Sequence, residues 1–123
     1  MDSPKPKRIK GGWMVEVKLK PISVNACWAG RRFKTPEYKK FENDLLLLLP
    51  PIKLPEPPYV IYLEWGFSSE ASDWDNPIKP VVDILQKRYG FNDKLIKRGI
   101  VDKLKVKKGD EYLKFKISHL SNG

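Results

Sequence analysis

Polar and apolar residues alternate from Trp13 to Lys20 (WMVEVKLK), which puts Trp13, Val15, Val17 and Leu19 on one face of a half-buried strand. A loop, PISVNACWAGRRFK, precedes a segment whose period changes to helical. There Thr35 is a predicted N-cap, Pro36 takes the first helical position and Glu37 lies near the positive end of the dipole. Tyr38, Phe41, Leu45, Leu48 and Leu49 follow at helical spacing, and Pro50 with Pro51 end the helix. The leucines of this helix predict a core face or a dimer contact. After the proline-rich PPIKLPEPP comes YVIYLEWGF, apolar on both faces apart from Glu64, which predicts a central strand covered on both sides. A second helix with a stripe of Ile78, Val81, Val82 and Leu85 follows. The last strands are predicted within LIKRGIVDKLKV and YLKFKI, joined at Gly109 and Asp110 by a tight hairpin.

The expected fold is therefore α+β: a single small domain with a mixed β-sheet and two helices in the order β-α-β-α-β-β. Residues 1–12 read as a flexible basic arm, 13–118 as the folded domain and 119–123 as a disordered tail. At 123 residues the chain buries enough surface for one core but not for two.

Charge narrows the choice of partner. The net charge of +9 favours a polyanion. The longest apolar run, Leu45 to Leu49, falls far short of the ~20 residues of a spanning helix, and no apolar segment follows the basic N-terminus as a secretory signal would require. The expected location is cytoplasmic. A lone cysteine, Cys27, excludes an internal disulfide, and a single histidine, His119, argues against both a Cys/His zinc site and a Ser/His/Asp triad.

The chemistry concentrates in Ser72–Asp83, SDWDNPIKPVVD. Asn76 is a predicted N-cap and Pro77 the first helical residue, so Asp73 and Asp75 lie just ahead of a helix N-terminus. In extended chain, residues two apart point the same way. Paired carboxylates repel unless a cation sits between them, and Mg²⁺, a hard ion bound by one or two carboxylates and water, suits the pair. Lys79 would reach an anion held at the helix end, with Asp83 one turn on to hold it. Pro80 leaves an early helical carbonyl without its usual donor. Asp93, in GFND after the second helix, is a third acid expected to fold back to the same end. The plainer reading makes the acids simple caps.

These residues carry a resemblance. DWDNPIKPVVDIL followed by GFNDKLI, together with PISVNACWAGRRFKTPEYKKF, resembles the RusA family of Holliday junction resolvases, small dimeric Mg²⁺-dependent endonucleases, over about residues 13 to 118. The resemblance implies that Asp73, Asp75 and Asp93 are metal-binding carboxylates and Lys79 the catalytic lysine, with Asn76 and Asp83 in supporting positions. Mn²⁺ would be a substitute metal, and the partners would be a four-way DNA junction and a second copy of the chain. Arg31, Arg32, Lys34, Lys94, Lys97 and Arg98 would grip phosphates, and Trp74, with Trp28 or Phe33, would stack on opened bases. Two other readings are a metal nuclease of broader range and a non-catalytic basic DNA-binding protein whose acidic cluster only caps a helix.

Overall fold

The structure, a computed structural model, describes residues 4–22, 28–29 and 33–121, with 28, 29, 33 and 34 described by their backbone alone. The strands are β1 (Lys7–Ile9), β2 (Gly12–Val17), β3 (Trp28–Ala29), β4 (Phe33–Lys34), β5 (Tyr59–Phe67), β6 (Ile96–Lys105) and β7 (Tyr112–His119). The helices are α1 (Pro36–Leu48) and α2 (Ile78–Tyr89). Five strands form one mixed sheet in the order β1-β2-β7-β5-β6, and β3 and β4 form a separate pair. The molecule is thus a small α+β protein with two helices. Among the described residues no helix is long and apolar enough to cross a membrane.

Helix α1 starts where the local chemistry dictates. The Thr35 side chain accepts the Tyr38 N–H at 3.1 Å, Pro36 opens the helix, and Glu37 occupies the first turn. Tyr38, Phe41, Leu45 and Leu48 are buried. From α2 come Pro80, Val81, Ile84 and Leu85. Apart from Pro80, these side chains meet Val15 and Val17 of β2, Ile61, Leu63 and Trp65 of β5, and Leu113, Phe115 and Ile117 of β7 in one apolar cluster. Alternation along each strand puts that cluster on a single face of the sheet.

The other face is held by polar chemistry. Glu64, nearly buried, accepts the hydroxyl of Tyr62 at 2.5 Å and that of Tyr112 at 2.6 Å, and the Lys114 ammonium lies 3.3 Å away. Tyr62 also contacts Asp102 of β6 at 2.8 Å. Gly66 pairs with Tyr112, and any Cβ at 66 would collide with that ring, so glycine is what lets the tyrosine lie across β5 and reach Glu64. The strand expected to be covered on both sides is central, yet it has helices on one face only.

Several further expectations are corrected. Part of the presumed flexible arm is β1, which pairs with β2 through a turn in which Gly11 has φ +78°. At the other end, His119 closes β7 and the Leu120 N–H donates to the Pro58 carbonyl at 2.8 Å, so the presumed tail begins with ordered backbone. The last two strands make no hairpin. A turn does form, with Gly109 at φ +98° and Asp110 N–H donating to Lys107, but β5 lies between β6 and β7. Strand β6 runs parallel to β5, because α2 carries the chain back as a βαβ crossover before β6 begins. This makes β6 an edge strand.

Candidate active site

The acidic stretch lies in the connection from the end of β5 to the start of α2. Its conformation is fixed from below by two neighbouring strands. The indole N–H of fully buried Trp65 donates to the Trp74 carbonyl at 2.6 Å, at the peptide between Asp73 and Asp75. From β6 the Lys103 ammonium donates to the carbonyls of Ser72 at 2.8 Å and Glu70 at 3.3 Å. Neither anchor carried a sequence signal: each is an ordinary strand residue, and its role depends on a contact made across the fold.

Asp73, Trp74 and Asp75 are all exposed. Asn76 is not the cap of α2. The helix begins one residue later than expected, after Pro77 in helical conformation (φ −80°, ψ −7°), with no side-chain cap. The Ile78 N–H turns back to the Asp75 carbonyl at 3.1 Å, and the freed Asn76 amide donates to the Asp73 carboxylate at 3.2 Å. A proline ring fixes φ near the helical value and so draws residue 77 into the turn, leaving Asn76 to orient Asp73. Lys79, exposed in the first turn of α2, stands 3.8 Å from Asp83, a loose and solvated pair.

Asp73 and Asn76 line a cleft of about 580 Å³ whose other wall is formed by Lys20, Glu37, Lys40, Phe41 and Asp44. Here both charge signs meet, with Lys40 and Asp44 paired at 2.8 Å. A second groove of about 380 Å³ runs between α2 and β6; Trp74 and Asp93 both line it, with Ile78, Val82 and Ile100.

Asp93 does not join Asp73 and Asp75. It opens a single 3-10 turn, Asp93–Leu95, just before β6, where Asn92 accepts the Lys94 N–H at 2.9 Å. The Asp93 N–H donates to the side chain of Gln86, about two turns along α2. At 1.5 Å per residue that is about 12 Å of axis away from the helix start. The crossover explains the separation: α2 leaves the acidic loop at one end of the sheet and delivers the chain to the other. Among the described residues no three His, Cys, Asp or Glu side chains gather as a metal-binding group.

Lys94, Lys97 and Arg98 are exposed beside Asp93 and along β6. Arg31 and Arg32, and most of the PISVN segment, lie outside the described residues, as do the side chains of Trp28, Phe33 and Lys34. Neither a protein-family model nor a curated protein matches the chain.

A divalent cation can be tested against the side chains present. Mg²⁺ takes one or two carboxylates and completes its shell with water and phosphate oxygens. Exposed Asp73 and Asp75, on a loop fixed by Trp65 and Lys103, are the two carboxylates that would meet that requirement, on a chain that bends at Trp74 and Asp75 instead of running extended as expected. A three-carboxylate centre within one chain is not met.

Proposed function

We propose that this protein is a Mg²⁺-dependent, structure-selective DNA endonuclease of the RusA type, acting as a homodimer on four-way junctions. The observation that carries the reading is the DWDN loop, pinned at the peptide between its two acids and followed within a turn by exposed Lys79. Asp73 and Asp75 are the residues that would hold the metal, and a bound Mg²⁺ supplies charge neutralisation of a phosphate and a more acidic water. The chain's own share is positional. Trp65 and Lys103 fix the loop, Asn76 orients Asp73, and Lys79 offers its ammonium to the charge that develops on a leaving oxygen. The net charge of +9 draws a DNA backbone to the surface.

The separation of Asp93 from the other acids favours a second reading, a basic DNA-binding protein whose loop acids bind no metal. Incubating the protein with a synthetic four-way junction and with the matching linear duplex, in Mg²⁺ and in EDTA, divides the two. Paired symmetric nicks in the junction alone, only with Mg²⁺, support the resolvase; equal cutting of flaps, forks and single strands points to a nuclease of broader range. Binding without cutting supports the second reading. On the nuclease reading Asp75→Asn retains junction binding and loses cleavage by at least a hundredfold, and a variant that still cuts removes Asp75 from the site.

A further inference from the structure

The basic residues divide between the two ends of the sheet. Lys94, Lys97 and Arg98 accompany Asp93 at the start of β6. At about 3.3 Å per residue the strand then carries the chain about 26 Å from Lys97 to Lys105, to the end where β5 leaves Phe67 for the acidic loop. Other basic residues gather there. The turn that follows β6 holds Lys107 and Lys108, β7 starts with Tyr112 opposite Gly66, and β2 finishes opposite Leu113 before the chain runs on to Lys20.

This turn is fastened to the root of the acidic loop. The Val106 N–H donates to the Phe67 carbonyl at 2.8 Å, and the Asp110 N–H to the Lys107 carbonyl at 2.9 Å. The Glu111 carboxylate accepts the Gly109 N–H at 2.7 Å with one oxygen and the Ser68 hydroxyl at 2.9 Å with the other. Its own backbone N–H, the Ser68 hydroxyl and the Gly109 N–H hold that carboxyl below its ordinary 4.5, and the charge of Lys20 adds to them. Lys20 also lines the cleft shared by Asp73 and Asn76, so it stands between the turn and the acids. Lys20, Lys107 and Lys108 are exposed and, among the described residues, make no ion pair. With the backbone of the turn already fixed, only the side chains of its lysines have to be ordered when an anion binds. Cations that lead one after another into a cleft suit a chain of phosphates, whereas a flat anionic surface would not follow them inward.

We propose that the turn between β6 and β7, with Lys20, forms a track for one strand of a DNA backbone, Lys107 and Lys108 taking the phosphates next to the one that enters the cleft at Asp73. The track rests on the reading that the ligand is DNA and does not require that the DNA be cut.

Fluorescence anisotropy of a labelled four-way junction, titrated in EDTA at a series of KCl concentrations, reads the track without cleavage. Each phosphate contact contributes about 0.9 to the slope of log K against log salt, so Lys107→Gln with Lys108→Gln is expected to flatten the slope by about 1.8 for each chain on the junction, and Lys20→Gln by about 0.9. Lys53→Gln with Lys87→Gln removes the same charge from the connection ahead of β5 and the last turn of α2, away from the acidic loop, and is expected to keep the native slope. A native slope in the turn pair or in Lys20→Gln, or an equal loss in the Lys53 and Lys87 pair, overturns the track. A native protein that binds no DNA overturns the track and the DNA reading together. Binding that follows the expected slopes, with no cutting when Mg²⁺ is added, defeats the nuclease reading alone and leaves the track standing.

Discussion

Replacing Glu64 with glutamine tests whether the helix-free face of the sheet is held by charge. The carboxylate accepts two phenol hydroxyls, at 2.5 and 2.6 Å, and faces the Lys114 ammonium at 3.3 Å. Hydrogen bonds to a charged acceptor contribute about 1.5–3 kcal/mol each. Glutamine keeps one acceptor oxygen and turns an amide N–H₂ toward the other phenol, so one charged bond is lost and the second becomes neutral. With the phenols half-exposed, the expected cost is about 2 kcal/mol at neutral pH, or roughly 6–10 °C in Tm for a chain of this length. The pH dependence carries the sign. Burial pushes the Glu64 carboxyl up, but hydrogen bonds from Tyr112 and Tyr62 and the Lys114 charge outweigh it and hold the group below the ordinary 4.5. A depressed folded value makes the stabilisation complete above the unfolded value and lost as pH falls through the folded one. Urea unfolding of both proteins at pH 7 and pH 3 is the assay. The gap should be full at pH 7 and much narrower at pH 3. A gap below about 0.5 kcal/mol at pH 7, or one unchanged at pH 3, refutes the reasoning.

Lys103→Met keeps the aliphatic stem and removes both bonds to the acidic loop, so stability should fall by less than about 1 kcal/mol and, on the nuclease reading, junction cleavage should fall about tenfold with binding retained; anisotropy and a cleavage time course on the same samples check this. Gly66→Val drives a side chain into the Tyr112 ring and should cost about 2 kcal/mol, read by urea unfolding. Gly90→Ala meets no neighbouring atom, but φ is +74° at the C-cap of α2; a loss of about 1 kcal/mol with unchanged cleavage is expected.

The sequence was most informative where one local rule acted alone. Thr35, Pro36 and Glu37 set the start of α1, and the spacing of Val81 and Leu85 marked the buried face of α2, because capping and helical period are properties of short windows. Neighbouring rules competed at Asn76, and the fixed φ of Pro77 prevailed over the capping preference of the asparagine. Period-two alternation placed β7 but said nothing of its neighbour, so the hairpin expected at Gly109 proved to be a turn that passes β5. The basic residues of Lys7–Ile9 hid a strand because pairing with β2, rather than an apolar face, orders them. Among the candidate site residues, the sequence placed Asp73 and Asp75 on the connection just ahead of α2, where both are exposed. The position of Asp93 depends on the direction of a crossover, and the anchoring by Trp65 and Lys103 on contacts nine and thirty-one residues distant.

The bond from Trp65 to the Trp74 carbonyl also gives the protein an optical gauge. A fully buried indole whose N–H grips the peptide between two exposed acids emits according to how that peptide is held. On the nuclease reading, a cation held by Asp73 and Asp75 would draw on the same peptide, and the wavelength and intensity of Trp65 emission would then report occupancy of the loop. With Trp13, Trp28 and Trp74 replaced by phenylalanine, the remaining signal comes from inside the core and from one bond, and a titration can follow the loop without any substrate being cut.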